Sequence, residues 1–125
     1  MQNVVKSHFF VPASADDLTL GVDVTIPVSN ATAIVHILHG MCEHKERYHD
    51  FMMFLSSQGY ICVCHDHRGH GESIKSRMDL GYMYDGGADA LVEDVRTVIH
   101  QQVPVHHVEI LNIWIVMMIV NHAVK

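Results

Sequence analysis

Residues 31–73 read ATAIVHIL, then HGMCEH, then KERYHDFMMFLSSQG, then YICVC, then HDHRGHGES. Ala31–Leu38 is an almost unbroken apolar run rich in β-branched residues. Its length and composition predict a strand buried on both faces, as in a parallel sheet. His39-Gly40 closes it. From Glu46 the period changes: Tyr48, Phe51, Met52 and Leu55 fall at i, i+3, i+4 and i+7 and predict one buried helix stripe. Gly59 is placed to end that helix. Tyr60–Cys64 is the next short strand. Strand, helix and strand on short links predict a parallel βαβ unit.

Upstream, Leu18, Leu20, Val22, Val24 and Ile26 alternate with Thr19, Gly21, Asp23 and Thr25. Period two predicts a half-buried strand. Ser7–Val11 predicts a shorter one before it, with Asp16-Asp17 as the turn between them. Pro27 ends the second strand and Ser29-Asn30 turns the chain. Downstream of a glycine-containing stretch, a second helix is expected near Ala88, with Ala88, Leu91, Val92, Val95 and Val98/Ile99 as its buried stripe. The fold class is therefore α/β, with N-terminal antiparallel strands leading into a parallel βαβ sheet.

Composition narrows the function classes. The 125 residues allow a single domain. Acidic residues outnumber basic ones, 14 to 8, which argues against a nucleic-acid partner. The N-terminus has no basic start followed by an apolar core, so no secretory signal is expected. Ile113–Val120 is too short to cross a bilayer, which takes about 20 apolar residues. Three cysteines, Cys42, Cys62 and Cys64, do not suggest a closed disulfide set, and Cys62 and Cys64 share one strand face. Reduced thiols fit a cytoplasmic protein. Twelve histidines are expected to move the charge between pH 7 and pH 6.

Two segments carry the chemistry. His39–His44 follows a buried strand, where Gly40 lets the backbone bend sharply toward a ligand at the sheet's C-terminal edge. Asp66–Ser73 follows the next strand, and Gly69 and Gly71 suit a tight return over that edge. Neither a G-x-G-x-x-G fingerprint nor a G-K-[ST] phosphate loop occurs, and no cofactor is expected.

Taken in order, His39, Gly40, Arg47, Tyr48, Leu55, Gly59, Tyr60, Asp66, His67, Arg68, Gly69, His70, Gly71 and Ser73 resemble the α/β-hydrolase superfamily, and within it the monoacylglycerol lipase and lysophospholipase group. The resemblance covers Ser7 to about His100. It implies a serine ester hydrolase acting on small lipid esters, with the Gly40-Met41 turn as half of an oxyanion hole and the Met41 amide as donor. The family usually has a small residue, often glycine, where Cys42 stands; a thiol there either narrows the site or is tolerated. His39, Asp66, His67, Arg68, Gly69, His70 and Gly71 are implied to tie loops together rather than to attack substrate.

The family's chemistry also needs a serine on G-x-S-x-G, then an acid, then a histidine. No serine follows Ser76, no glycine follows Gly87, and G-x-S-x-G occurs nowhere. Ser73 has the wrong spacing and follows the wrong strand. His122 has no identifiable nucleophile or acid beside it. No catalytic residue is therefore assigned. After Arg96 only Glu109 and Lys125 are charged, which predicts an N-terminal hydrolase portion over 1–100 and a divergent apolar tail over 101–125. A shifted reading frame or a disrupted gene gives such a junction. Glu109–Val120 reads either as a buried fifth strand or as sequence never shaped to bury against this fold. The tail also makes self-association an expectation.

Three bland expectations stand beside these. His36 is read as a hydrogen-bonded core residue, Glu43–Arg47 as a solvated charged face, and Met52 and Met53 as ordinary helix filler. Two alternatives to the hydrolase remain: a non-enzymatic interaction module, and a metal-dependent hydrolase built on His65, His67 and His70. The second resembles the H-x-H-x-D-H zinc motif but has Gly69 where the aspartate before the last histidine belongs, and it lacks a fourth ligand, so no metal is assigned.

Overall fold

The computed structural model describes residues 3–100 and the backbone of the strand at 113–117. Five strands form one sheet: β1 (Val4–Pro12), β2 (Thr19–Pro27), β3 (Ala33–Leu38), β4 (Tyr60–His65) and β5 (Ile113–Met117). Their order is β1-β2-β4-β3-β5. β2 runs antiparallel to β1 and β4, and β3 runs parallel to both β4 and β5. Helix α1 (His49–Ser57), entered through a 3-10 turn at Lys45–Tyr48, links β3 to β4. Helix α2 (Gly87–His100) follows the long loop after β4.

β3 is buried along its whole length, as its apolar run predicts. Gly59, at φ +101, turns the chain from α1 into β4. Two cores flank the sheet. One gathers Val11, Leu20, Val22, Val24, Ile34, Ile61, Val63 and Val98. The other gathers Val35, Ile37, Cys62 and Cys64 with Tyr48 and Met52. Period two therefore sorts β3 and β4 correctly, and both cysteines do share one face as free thiols.

Several local expectations are corrected. The first strand is longer than Ser7–Val11, because its pairing with β2 runs from Val4 to Pro12. β2 is buried on both faces rather than one. Its polar side meets α1: the Thr25 hydroxyl shares a 2.7 Å hydrogen bond with that of Ser56, and Asp23 accepts from His49 at 2.6 Å. On α1 itself Met52 and Ser56 are buried while Phe51 is exposed, so the stripe is turned toward that polar contact. On α2 the buried residues are Ala90, Asp94, Thr97 and Val98, and Val92 is 61% exposed. Asp94 is drawn inward by Arg68, which rotates the helix away from its apolar stripe.

The strand alternative for Glu109–Val120 is realised in backbone at Ile113–Met117, while its flanks lie outside the described residues. Among the described residues no helix is long and apolar enough to cross a membrane.

Candidate functional site

The chain leaves β3 and β4 at the same edge of the sheet, and both chemistry-bearing segments begin there. After β3, Gly40, Met41 and Cys42 turn tightly, with the Met41 side chain 70% exposed. Cys42 has φ +61, the left-handed region that favours glycine. The Cys42 thiol is exposed at this bend and lies along a cleft wall.

The 66–73 loop is held by a dense set of bonds. Asp66 Oδ1 accepts from the Lys45 backbone N–H at 2.8 Å, and Oδ2 accepts from Lys45 Nζ at 3.0 Å and from the Glu72 N–H at 2.9 Å. Ser73 Oγ donates to the Asp66 carbonyl at 2.6 Å and accepts from the Gly21 N–H at 3.0 Å. Gly71, at φ +49, lies against the Asp66 carboxylate, where a Cβ would overlap it. Gly69, at φ +79, lies equally close to the Tyr82 backbone.

Arg68 is fully buried and spends its guanidinium on two carboxylates. Nε and Nη2 donate to Asp94 at 2.7 and 3.0 Å, and Nη1 and Nη2 donate to Asp16 at 2.8 and 3.2 Å. These bonds, Asp94's first, raise the guanidinium pKa and keep it charged. Burial pulls the Asp94 carboxyl up and Arg68 opposes that shift; with two short bonds in place we assign the ionised pair.

The solvated face expected at Glu43–Arg47 holds for His44, Glu46 and Arg47 and is corrected at Glu43 and Lys45. Lys45 is entirely buried and Glu43 is 3% exposed. Lys45 Nζ donates to Glu46 and Glu72, each at 2.7 Å, besides Asp66. Burial alone would lower its pKa, but these three carboxylates outweigh it and raise the pKa. For Glu46 burial acts upward, yet Lys45 holds its carboxyl down at about 2. Glu43 accepts from the Tyr48 hydroxyl, while its Oε2 has no partner. Burial and that bond push the Tyr48 hydroxyl up to about 12.

His39 and His67 join the two segments directly. The His67 backbone N–H donates to His39 Nε2 at 2.9 Å, and His67 Nε2 donates back to the His39 carbonyl at 3.0 Å. His36 is 1% exposed and pairs with His65 Nδ1 at 3.3 Å, a hydrogen-bonded core residue as read from the sequence. His65, His67 and His70 do not converge: His67 and His70 have ring centroids 6.4 Å apart, and His67 Nε2 is committed to a carbonyl. Among the described residues the one group of carboxylates close enough for a cation, Glu46, Asp66 and Glu72, is the set bonded to Lys45 Nζ.

Two open clefts flank this edge. One, about 590 Å³, lies between Cys42 and His44 on one wall and Gly69, His70, Ile74, Arg77 and Leu80 on the other. The second, about 540 Å³, runs between Leu38, His39 and His67 and the Leu91, Val95 and Ile99 side of α2. His122 lies outside the described residues, and no assigned nucleophile faces either cleft. Sequence reading missed Asp16, Lys45 and Asp94. No local pattern marked them, and the partner that buries them sits up to 52 residues away.

Comparison with known proteins agrees with this layout. A family model described as serine aminopeptidase, S33, matches residues 29–115. The chain is 34% identical over 77 residues to a monoacylglycerol lipase of Mycolicibacterium smegmatis, covering 62% of this chain and 26% of that one. It is 38% identical over 52 residues to protein K6 of vaccinia virus (strain Western Reserve), covering 42% of this chain and 64% of that one. It thus spans less than two thirds of either relative. A solved lipase in its open form superposes with a TM-score of 0.72 at 23% identity, covering 89% of this chain and 36% of that one. That likeness gives the fold: the five strands are part of an α/β-hydrolase sheet.

Proposed function

The chain belongs to the serine aminopeptidase S33 hydrolase family, and from that premise we propose that it is the N-terminal portion of a serine carboxylic ester hydrolase of monoacylglycerol lipase or lysophospholipase type. Residues 1–100 are that portion, and 101–125 are a divergent apolar tail whose strand β5 lies beside β3. The Gly40-Met41 turn supplies half of an oxyanion hole, with the Met41 amide as donor to the developing oxyanion. His39, Asp66, His67, Arg68, Gly69, His70 and Gly71 fix that turn in place. Small lipid esters are the substrates of the intact machinery, and the compartment is cytoplasmic.

In this reading the present chain does not turn over esters. One observation carries it: β5, the position after which this family's elbow follows, is followed by no serine or glycine in the sequence. Without nucleophile, acid and base, only weak residual catalysis from the oxyanion donor and binding is left. The test is a fluorophosphonate probe with a chromogenic ester assay on the full chain. No stoichiometric serine label and no turnover are expected; a labelled serine ends the reading.

The open apolar wall of α2 favours a second reading, a non-enzymatic interaction module that self-associates. Sedimentation of the full chain distinguishes the two: a defined oligomer supports the module, and a monomer supports the hydrolase portion.

A further inference from the structure

Five of the twelve histidines meet where β3 and β4 end, and the hydrolase reading leaves their imidazoles without a chemical task. Their rings run in series. His36 and His65 have centroids 5.5 Å apart, His65 and His67 5.2 Å, His67 and His39 4.3 Å, and His39 and His70 5.2 Å. The first four of these residues are buried.

Their hydrogen bonds fix where the protons are. A carbonyl only accepts, so His39 Nδ1 carries a proton donated to Gly40 O at 2.7 Å, and His67 Nε2 carries one donated to His39 O. The His67 amide donates to His39 Nε2, which therefore keeps its lone pair. His39 is neutral as long as this bond stands. His67 Nδ1 is a buried acceptor without a partner, and His65 Nε2, on the adjacent ring, is buried without a partner as well. A proton on His39 Nε2 sets N–H against N–H and breaks one of the two bonds between the segments, leaving His67 Nε2 on the His39 carbonyl. A proton on His67 Nδ1 places charge one ring away from His39 on one side and from His65 on the other.

We infer that this series of rings is an acid-released latch: while neutral it pins the 39–44 turn onto the 66–73 loop, and protonation parts the two while the sheet beneath stays paired. The inference goes beyond the hydrolase reading and does not depend on it.

The surrounding charges do not prevent this. Asp66 and Glu43 favour protonation of His39, Asp66 favours that of His67, and His70 opposes both. From α2, Arg96 and His100 line the cleft beside His39 and His67. Arg68, next in the chain, is committed to Asp94 and Asp16. Burial is the largest influence: it lowers His39, holds His36 and His67 down at about 4, and puts His65 well below the ordinary value. Once the latch opens the rings return toward 6.5 and take up protons, so falling pH draws the equilibrium open.

The test is amide hydrogen exchange by NMR on the full chain from pH 7.5 down to the acid limit of folding. The protection factor of the His67 amide is expected to fall about tenfold or more per pH unit below about 6.5, the slope of at least one linked proton. Amides of the β2–β4 ladder around Val24 and Val63 are expected to stay the better protected throughout, falling only as far as the global stability of the chain falls. His39→Gln keeps an acceptor and a donor but cannot titrate, and is expected to flatten the His67 profile. The latch is overturned if His67 and the ladder show the same protection across the range, if His67 stays protected throughout, or if His39→Gln follows the wild-type profile. Should that variant not fold, the contrast between His67 and Val63 in the wild-type chain decides.

Discussion

Helix α2 has two faces, and they are covered in opposite ways. One turns Asp94 and Thr97 inward with Ala90 and Val98, and its carboxylate sits against a fully buried arginine. The other carries Leu91, Val92, Val95 and Ile99 and looks onto an open cleft. The apolar face is the more exposed of the two. Burial here follows the partner rather than the side chain's own preference: a buried guanidinium needs its carboxylate at almost any cost in position.

That contrast is best broken at Asp94. Asp94→Ala leaves Arg68 with Asp16 as its one carboxylate and is expected to destabilise the chain by about 3–5 kcal/mol. Arg68→Met combined with Asp94→Leu removes both charges and is expected to recover much of the loss, since a buried pair and an apolar isostere are often within a few kcal/mol. Urea denaturation of the two variants measures this. Equal losses would show that the helix orientation, and not the unpaired charge, holds the energy.

Acid is the next largest lever. His36 and His67 are held at about 4 in the folded chain, against 6.5 when exposed. A lowered histidine pKa contributes stability that is fully present above 6.5 and lost as pH falls toward 4. Each such group gives a slope of about 1.4 kcal/mol per pH unit in that window. Urea midpoints at stepped pH are expected to drop steeply below 6.5 and to change little just above it. A flat profile would mean that these rings are solvated. Four of the histidines expected from the sequence to move the charge between pH 7 and 6 are taken out of that window by burial.

Gly69→Ala sets a side chain at φ +79 against the Tyr82 backbone and is expected to cost about 1–3 kcal/mol. Thermal unfolding checks it, and Gly81→Ala, at φ +89 with open space around its Cβ position, separates backbone strain from overlap. The smallest effect belongs to the open side of α2. Val92→Gln is expected to shift stability by no more than about 0.5 kcal/mol. A larger loss there would show that something covers the cleft wall.

The sequence made the strands and the βαβ unit legible because hydrophobic period and glycine placement are local. Ala31–Leu38, Gly59 and Tyr60–Cys64 each announce themselves within a few residues. The turn after Gly40 and the loop from Asp66 were legible as segments for the same reason. Lys45, Asp16 and Asp94 were not, because a charged residue reads as surface until its distant partner is known. Glu43 and Lys45 look like an exposed charged run, yet Asp66 and Glu72, over 20 residues on, turn Lys45 into core. The face of α2 was misread by the same rule, since Asp94 outranks the apolar residues beside it, whereas on α1 Tyr48, Met52 and Leu55 pack as read and only Phe51 is turned out.

The strand order has a consequence for synthesis on the ribosome. β3 gains its first neighbour when β4 emerges, but its other side waits for β5, about 75 residues after β3 itself is complete. At about 5–20 residues per second that side stays unpaired for several seconds or longer. A nascent chain of this design offers a parallel edge, apolar but for His36, to its surroundings during that interval, the kind of surface that holdases at the exit tunnel cover.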